Sequence, residues 1–175
     1  MVEMTVDSVR SSRQGRAHLV LRQRTGRHYL AIPIGQAEAE AINVCLQRQR
    51  HPRPLTHDLL KSVITQLGGR VHYIVVCDYA SEIFRAEIAV EANGRWTEVD
   101  CRPSDAIALA LRMRVPVYCT SEVLEAAGVG PSGERVDSVK TEGLRGEERP
   151  RLGAFRDFIN GLDLEGFGKQ NPDRS

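Results

Sequence analysis

The stretch DCRPSDAIALALRMRVPVY, Asp100 to Tyr118, decides the fold. Pro103 holds the residue before it out of the α region, and Ser104 reads as the helix cap. Asp105 falls in the first turn, where the positive end of the helix dipole favours an acid. Ala106 to Leu111 is apolar on every side, which places this helix in the centre of the fold rather than on its surface. Val115 to Thr120 follows as a short strand. A second stretch, RPLTHDLL from Arg53 to Leu60, repeats the device with Pro54, a Thr56 cap and Asp58. Each copy directs an arginine, a polar cap and a free helix N-terminus at one point, an arrangement suited to an anion such as phosphate.

Strands are predicted over Met4 to Val9, His18 to Gln23 and His28 to Ile34, with Thr25-Gly26 turning the last two. A helix is predicted over 36–49, and another after Thr56 with Leu59, Leu60, Val63, Ile64 and Leu67 as a continuous apolar stripe. Val71 to Tyr79 and Glu82 to Glu91 read as strands, and Asn93-Gly94 is a hairpin signal leading into Arg95 to Cys101. In Glu82 to Glu91, Phe84, Ala86, Ile88 and Val90 form a core face, with Arg85, Glu87 and Ala89 on a largely wet one. The order β-β-β-α-α-β-β-β-α-β-α lacks strict βαβ alternation. It predicts an α+β fold, one compact domain over 1–128, with a mixed or antiparallel sheet packed by helices. Residues 129–150, rich in Gly, Ser, Glu, Arg and Lys, read as a flexible linker. In 151–175, Leu152, Phe155, Phe158, Ile159 and Leu162 share one face of a short C-terminal helix.

The 175 residues carry a net charge of +1 that hides an asymmetry: 11 Lys/Arg against 5 Asp/Glu in 1–70, then 13 against 18 in 71–175. Arg13, Arg16, Arg22, Arg24 and Arg27 cluster in the basic part, which is either a nucleic-acid face or a solvated hairpin. No apolar run approaches the ~20 residues of a membrane span, and no signal-peptide layout is present. Cys45, Cys77, Cys101 and Cys119 stand singly, as small buried hydrophobes of a reducing cytoplasm rather than a disulfide frame or zinc site. With no GxGxxG, P-loop or GxSxG motif, nucleotide-cofactor and serine-hydrolase chemistry has no support, and no organic cofactor is expected.

Phosphodiester hydrolysis needs a neutralised phosphate, an activated water and a protonated leaving oxygen. The two Arg-Pro stretches hold suitable groups. His57, Asp100 and Asp105 are the candidate catalytic residues; Arg53, Arg102, Thr56 and Ser104 are the candidate phosphate ligands. Asp100, Asp105 and Glu38 are the candidate set for Mg²⁺ or Mn²⁺. Each has a plainer reading. Thr56 and Ser104 serve as caps worth about 1 kcal/mol. Asp58 and Asp105 complement the dipole, and Asp58 pairs with Lys61 at i+3. His57 shares a helix side with Leu60 and Ile64, as a partly buried histidine would. Arg53 and Arg102 clamp carbonyls or acids inside the fold. His18, His28, His51 and His72 have no ligand-like spacing and read as surface or strand residues.

The succession IPIGQAEAEAI (Ile32 to Ile42), RPLTHDLL, the strand pair through Phe84 and DCRPSDAIALALRMRVPVY resembles the bifunctional nuclease domain family, from about Met4 to Gly128. Two positions depart from its pattern: Pro33 stands where an aromatic is usual, and Cys101 where a small residue is usual. The resemblance implies a compact, often self-associating α+β domain that cuts both DNA and RNA. The competing class is a non-catalytic regulatory module that binds nucleic acid or a small anion. A third possibility places both Arg-Pro devices at a subunit interface.

Overall fold

The computed structural model describes residues 1–11 and 15–130. The predicted linker and C-terminal helix lie outside them, apart from Val129 and Gly130. The elements are β1 (Val2–Ser11), β2 (Ala17–Gln23), β3 (Tyr29–Ile34), α1 (Gln36–Leu46), α2 (Thr56–Gln66), β4 (Gly69–Ala80), β5 (Ile83–Ala92), β6 (Arg95–Cys101), α3 (Pro103–Met113), β7 (Val117–Cys119), α4 (Ser121–Ala127) and β8 (Gly128–Val129). The strands form one eight-stranded sheet, ordered β6-β5-β4-β7-β1-β2-β3-β8. Two antiparallel sets, β4-β5-β6 and β1-β2-β3-β8, meet at β7, which runs parallel to β4 and antiparallel to β1. The fold is α+β with a mixed sheet, as the element order predicts.

The helix read as central is central. Ala106 to Ala110 of α3 are all buried, packed on β4 and β5 and flanked by α1 and α2. With Leu19, Leu21, Leu30, Ile42, Ile74 and Val76 they make a single core. Asn93 (φ 53) and Gly94 (φ 71) take the left-handed backbone that the tight β5–β6 hairpin requires.

Several expectations are corrected. Thr56 and Ser104 are not caps: Leu55 and Arg102 hold the extended cap position, with Thr56 the first and Ser104 the second residue of its helix. The prolines are the reason. Pro103 itself enters α3 at its first turn, so the cap falls on Arg102 before it. At α2 the Asp58 carboxylate reaches back to the Leu55 N–H at 2.9 Å and satisfies the donor a capping hydroxyl would otherwise leave to solvent. Helix α1 stops at Leu46 rather than 49, because Arg48 turns left-handed (φ 52) and Gln49 N–H closes onto Val44 C=O. His18 is a strand residue, as one of its two readings has it, and is buried in β2; burial is the main cause that lowers its pKa. Ala89 of β5 is also buried, beside Tyr73 and Trp96.

The apolar stripe of α2 departs most from expectation. No residue of α2 is fully buried; Ile64 packs on the core, but Leu59 is 58% and Leu67 75% exposed. Besides Ile64, helix α2 is held by polar contacts of His57, Asp58 and Lys61 with α3.

Candidate functional site

Both Arg-Pro turns deliver their helix starts to one place. His57, in the first turn of α2, faces Asp105, in the first turn of α3, with Nε2 3.4 Å from Oδ1. The His57 side chain is only 12% exposed. Asp105 is fixed from its other side by Arg102, whose Nε donates to Oδ2 at 2.8 Å and Nη2 to Oδ1 at 3.2 Å. Arg102 Nη1 also meets Glu38 Oε1 of α1 at 2.8 Å. Glu38, Arg102, Asp105 and His57 thus form one chain of contacts across three helices. The Asp105 hydrogen bond, followed by its charge and that of Glu38, raises the Arg102 pKa above its ordinary value.

Beside this chain lies a second pair. Arg112, near the end of α3, has a side chain only 4% exposed, and its Nε donates to Asp58 Oδ1 at 2.7 Å. Its Nη1 donates to the Ala41 and Ala108 carbonyls at 3.1 and 2.9 Å, while Nη2 is buried with no hydrogen-bond partner among the described residues. Lys61 donates to the Arg112 carbonyl at 2.9 Å, so it does not take the Asp58 pairing expected of it. Partial burial pushes the Asp58 pKa up. The Leu55 N–H and the Arg112 bond and charge together outweigh that and hold it below the usual range.

Around Arg112 opens a cleft of about 970 Å³. Arg48, Arg53, Arg112, Arg114 and His51 line it, together with Val44, Cys45, Leu111, Pro52 and Pro54. Among the described residues Asp58 is its one carboxylate, and Arg112 already engages that group. Arg48, Arg53 and Arg114 make no side-chain hydrogen bond or ion pair among the described residues.

The candidate residues therefore separate. His57, Asp105, Arg102 and Glu38 come together. Arg53 does not join Arg102 but lines the arginine cleft. Ser104 is buried, and Thr56 is exposed on the first turn of α2. Asp100 lies on edge strand β6 and is engaged by Arg85 of β5 at 2.9 Å. Glu38 and Asp105 share the Arg102 guanidinium, and among the described residues no three His, Cys, Asp or Glu side chains are grouped as a metal ion requires. Asp100, Asp105 and Glu38, so placed, do not fit a Mg²⁺ or Mn²⁺ site. Sequence reasoning missed Arg48 and Arg114, and it noted Arg112 only as sharing a helix face with Asp105 without giving it a site role. The available signal was Arg112 itself, a single charge inside the apolar run AIALALRM, which a central helix cannot bury without a partner.

The profile of the bifunctional nuclease domain matches residues 19–132. An uncharacterized protein of Mycobacterium tuberculosis is 35% identical over 168 residues, 95% of this chain and 98% of the relative. Bifunctional nuclease 2 of Oryza sativa subsp. japonica is 30% identical over 80 residues, 44% of this chain and 25% of the relative. Bifunctional nuclease 1 of Oryza sativa subsp. indica is 26% identical over 110 residues, 60% of this chain and 33% of the relative.

Proposed function

Since the chain belongs to the bifunctional nuclease domain family, we propose that it is a nuclease, hydrolysing phosphodiester bonds of DNA and RNA where its two Arg-Pro helix starts meet. The observation that carries this reading is the contact of His57 with Asp105, backed by Arg102 and Glu38. In the tautomer that donates Nε2–H to Asp105, His57 keeps its Nδ1 lone pair for a proton. Asp105 then orients the ring, and Arg102 orients Asp105. His57 takes a proton from water as the water oxygen bonds to phosphorus. The P–O bond to the leaving sugar breaks, and that oxygen is protonated from solvent. A positioned base of this kind contributes about 10²–10⁴ in rate.

The test is cleavage of labelled single-stranded DNA and RNA by purified protein, with Mg²⁺, with Mn²⁺ and with EDTA. His57→Gln should lower the rate about 100-fold or more. Asp105→Asn with Arg102→Ala should abolish cutting while circular dichroism shows the fold intact. Undiminished cutting by these variants means that a contaminant does the work and removes the reading. A second reading, a non-catalytic module binding anionic ligands, is favoured by one observation: Glu38, Asp58 and Asp105 are each already paired with an arginine. Thermal stabilisation by a phosphate ligand, with no cleavage under any metal condition, would support it over the nuclease.

A further inference from the structure

We propose that the arginine cleft beside the His57–Asp105 pair is a phosphate subsite that grips the backbone of a single nucleic-acid strand at several consecutive phosphates. The inference rests on the nuclease reading for its choice of polymer, and on the cleft itself for its chemistry. Two separate segments contribute: Arg48 and Arg53 lie at either end of the α1–α2 connection, and Arg114 caps α3. Arg48 and Arg114 hold left-handed backbone, φ 52 and 59, at positions where helices commonly end on glycine. Among the described residues all three guanidiniums make no hydrogen bond or ion pair, and Asp58, the one acid there that lines the cleft, is neutralised by Arg112. Behind them Arg112 adds a buried donor, Nη2, that has no hydrogen-bond partner among the described residues. A cleft that concentrates cations and leaves them unpaired attracts polyanions.

Size argues for more than one phosphate. At a liquid share of about 30 Å³ per water, ~970 Å³ holds roughly thirty waters, far more than one phosphate displaces. Val44, Leu111, Pro52 and Pro54 offer an apolar wall for sugars, but among the described residues no Phe, Tyr or Trp lines the cleft. Bases therefore have no stacking platform, and the grip is electrostatic and indifferent to sequence. Arg112 also connects the two places, since it lines the cleft and holds Asp58, the neighbour of His57.

The experiment is fluorescence anisotropy of a labelled single-stranded oligonucleotide with the full chain carrying His57→Gln, so that binding is read without cleavage. Three phosphate contacts predict a log–log salt slope of about −2, at roughly −0.7 per contact. Adding Arg53→Gln and Arg114→Gln should bring the slope to about −0.7 and weaken binding about 25-fold at 0.1 M salt. Both positions are exposed, so thermal melts should show that the fold is kept. Arg70→Gln with Arg95→Gln, exposed and outside the cleft, should leave the slope unchanged. An unaltered slope in the cleft variant, or an equal change in the control pair, overturns the proposal. Pyrophosphate binding as tightly as the oligonucleotide would also overturn the claim of a strand. The two readings fail separately. A parent that never cuts, with a slope that follows the cleft arginines, removes the nuclease and keeps the subsite. Cutting that persists with an indifferent slope does the reverse.

Discussion

Replacing Arg112 by Met should destabilise the domain by about 3–4 kcal/mol. Met refills most of the volume, so the loss is polar rather than a cavity. The guanidinium makes three hydrogen bonds, to Asp58 and to the Ala41 and Ala108 carbonyls. Bonds to a charged group contribute about 1.5–3 kcal/mol each. The sum is discounted because Asp58, with its side chain 40% exposed, rehydrates when its partner leaves. The Ala108 carbonyl also keeps its helical bond. For a domain of this size the loss corresponds to a fall of about 10 °C in Tm. The pH profile supplies the sign. Asp58 has a folded pKa below its unfolded value, so its pairing stabilises fully above about pH 4 and is lost as pH falls through the folded value. Urea unfolding at pH 7 and near pH 3 should therefore show a gap between parent and variant that narrows in acid. A variant within about 1 kcal/mol of the parent at both pH values would refute the assignment of Arg112 as the tie between α2 and α3.

Arg102→Ala should behave oppositely, costing under about 1 kcal/mol because its side chain is 67% exposed, while cleavage falls as Asp105 loses its anchor; urea unfolding beside a cleavage assay checks both. Burial first, and then Asp105 and Asp100, push the Cys101 thiol up to about 12, and burial pushes Cys119 up to about 11. At pH 8 both should react with a thiol reagent at least about 100-fold more slowly than in the urea-unfolded chain, and equal rates would contradict their burial. Leu59→Asp with Leu67→Asp should leave monomer stability within about 0.5 kcal/mol, since both are exposed. If the chain self-associates through α2, as the exposed stripe suggests, sedimentation of that variant should read the monomer mass where the parent reads more.

Local patterns were legible in the sequence, and global partners were not. The all-round apolarity of Ala106 to Leu111 identified the central helix, and Asn93-Gly94 identified a hairpin, because both signals are complete within a few residues. The stripe of α2 misled because periodicity says only that a face is apolar, not that something covers it. The caps misled because proline shifted the helix start by one or two residues. His57 and Asp105 were legible as candidates, but their contact spans 48 residues and depends on how α2 lies on α3. Asp100 follows the same logic in reverse. It is close to Asp105 in sequence, yet the strand holds it toward Arg85.

The sheet also has a consequence for the order of folding. Its two halves are joined through β7, only Val117–Cys119, and Val2 of β1 pairs with Cys119 across nearly the whole described chain. Closing a loop of that length costs about 2 kcal/mol more than closing a ten-residue one. On a ribosome, the first strand must wait for β7 to emerge before it acquires that neighbour. Until then β1 and β4 each present an unpaired edge, so the joint that unites the two halves is a late seam, followed in the chain only by the short β3–β8 pairing.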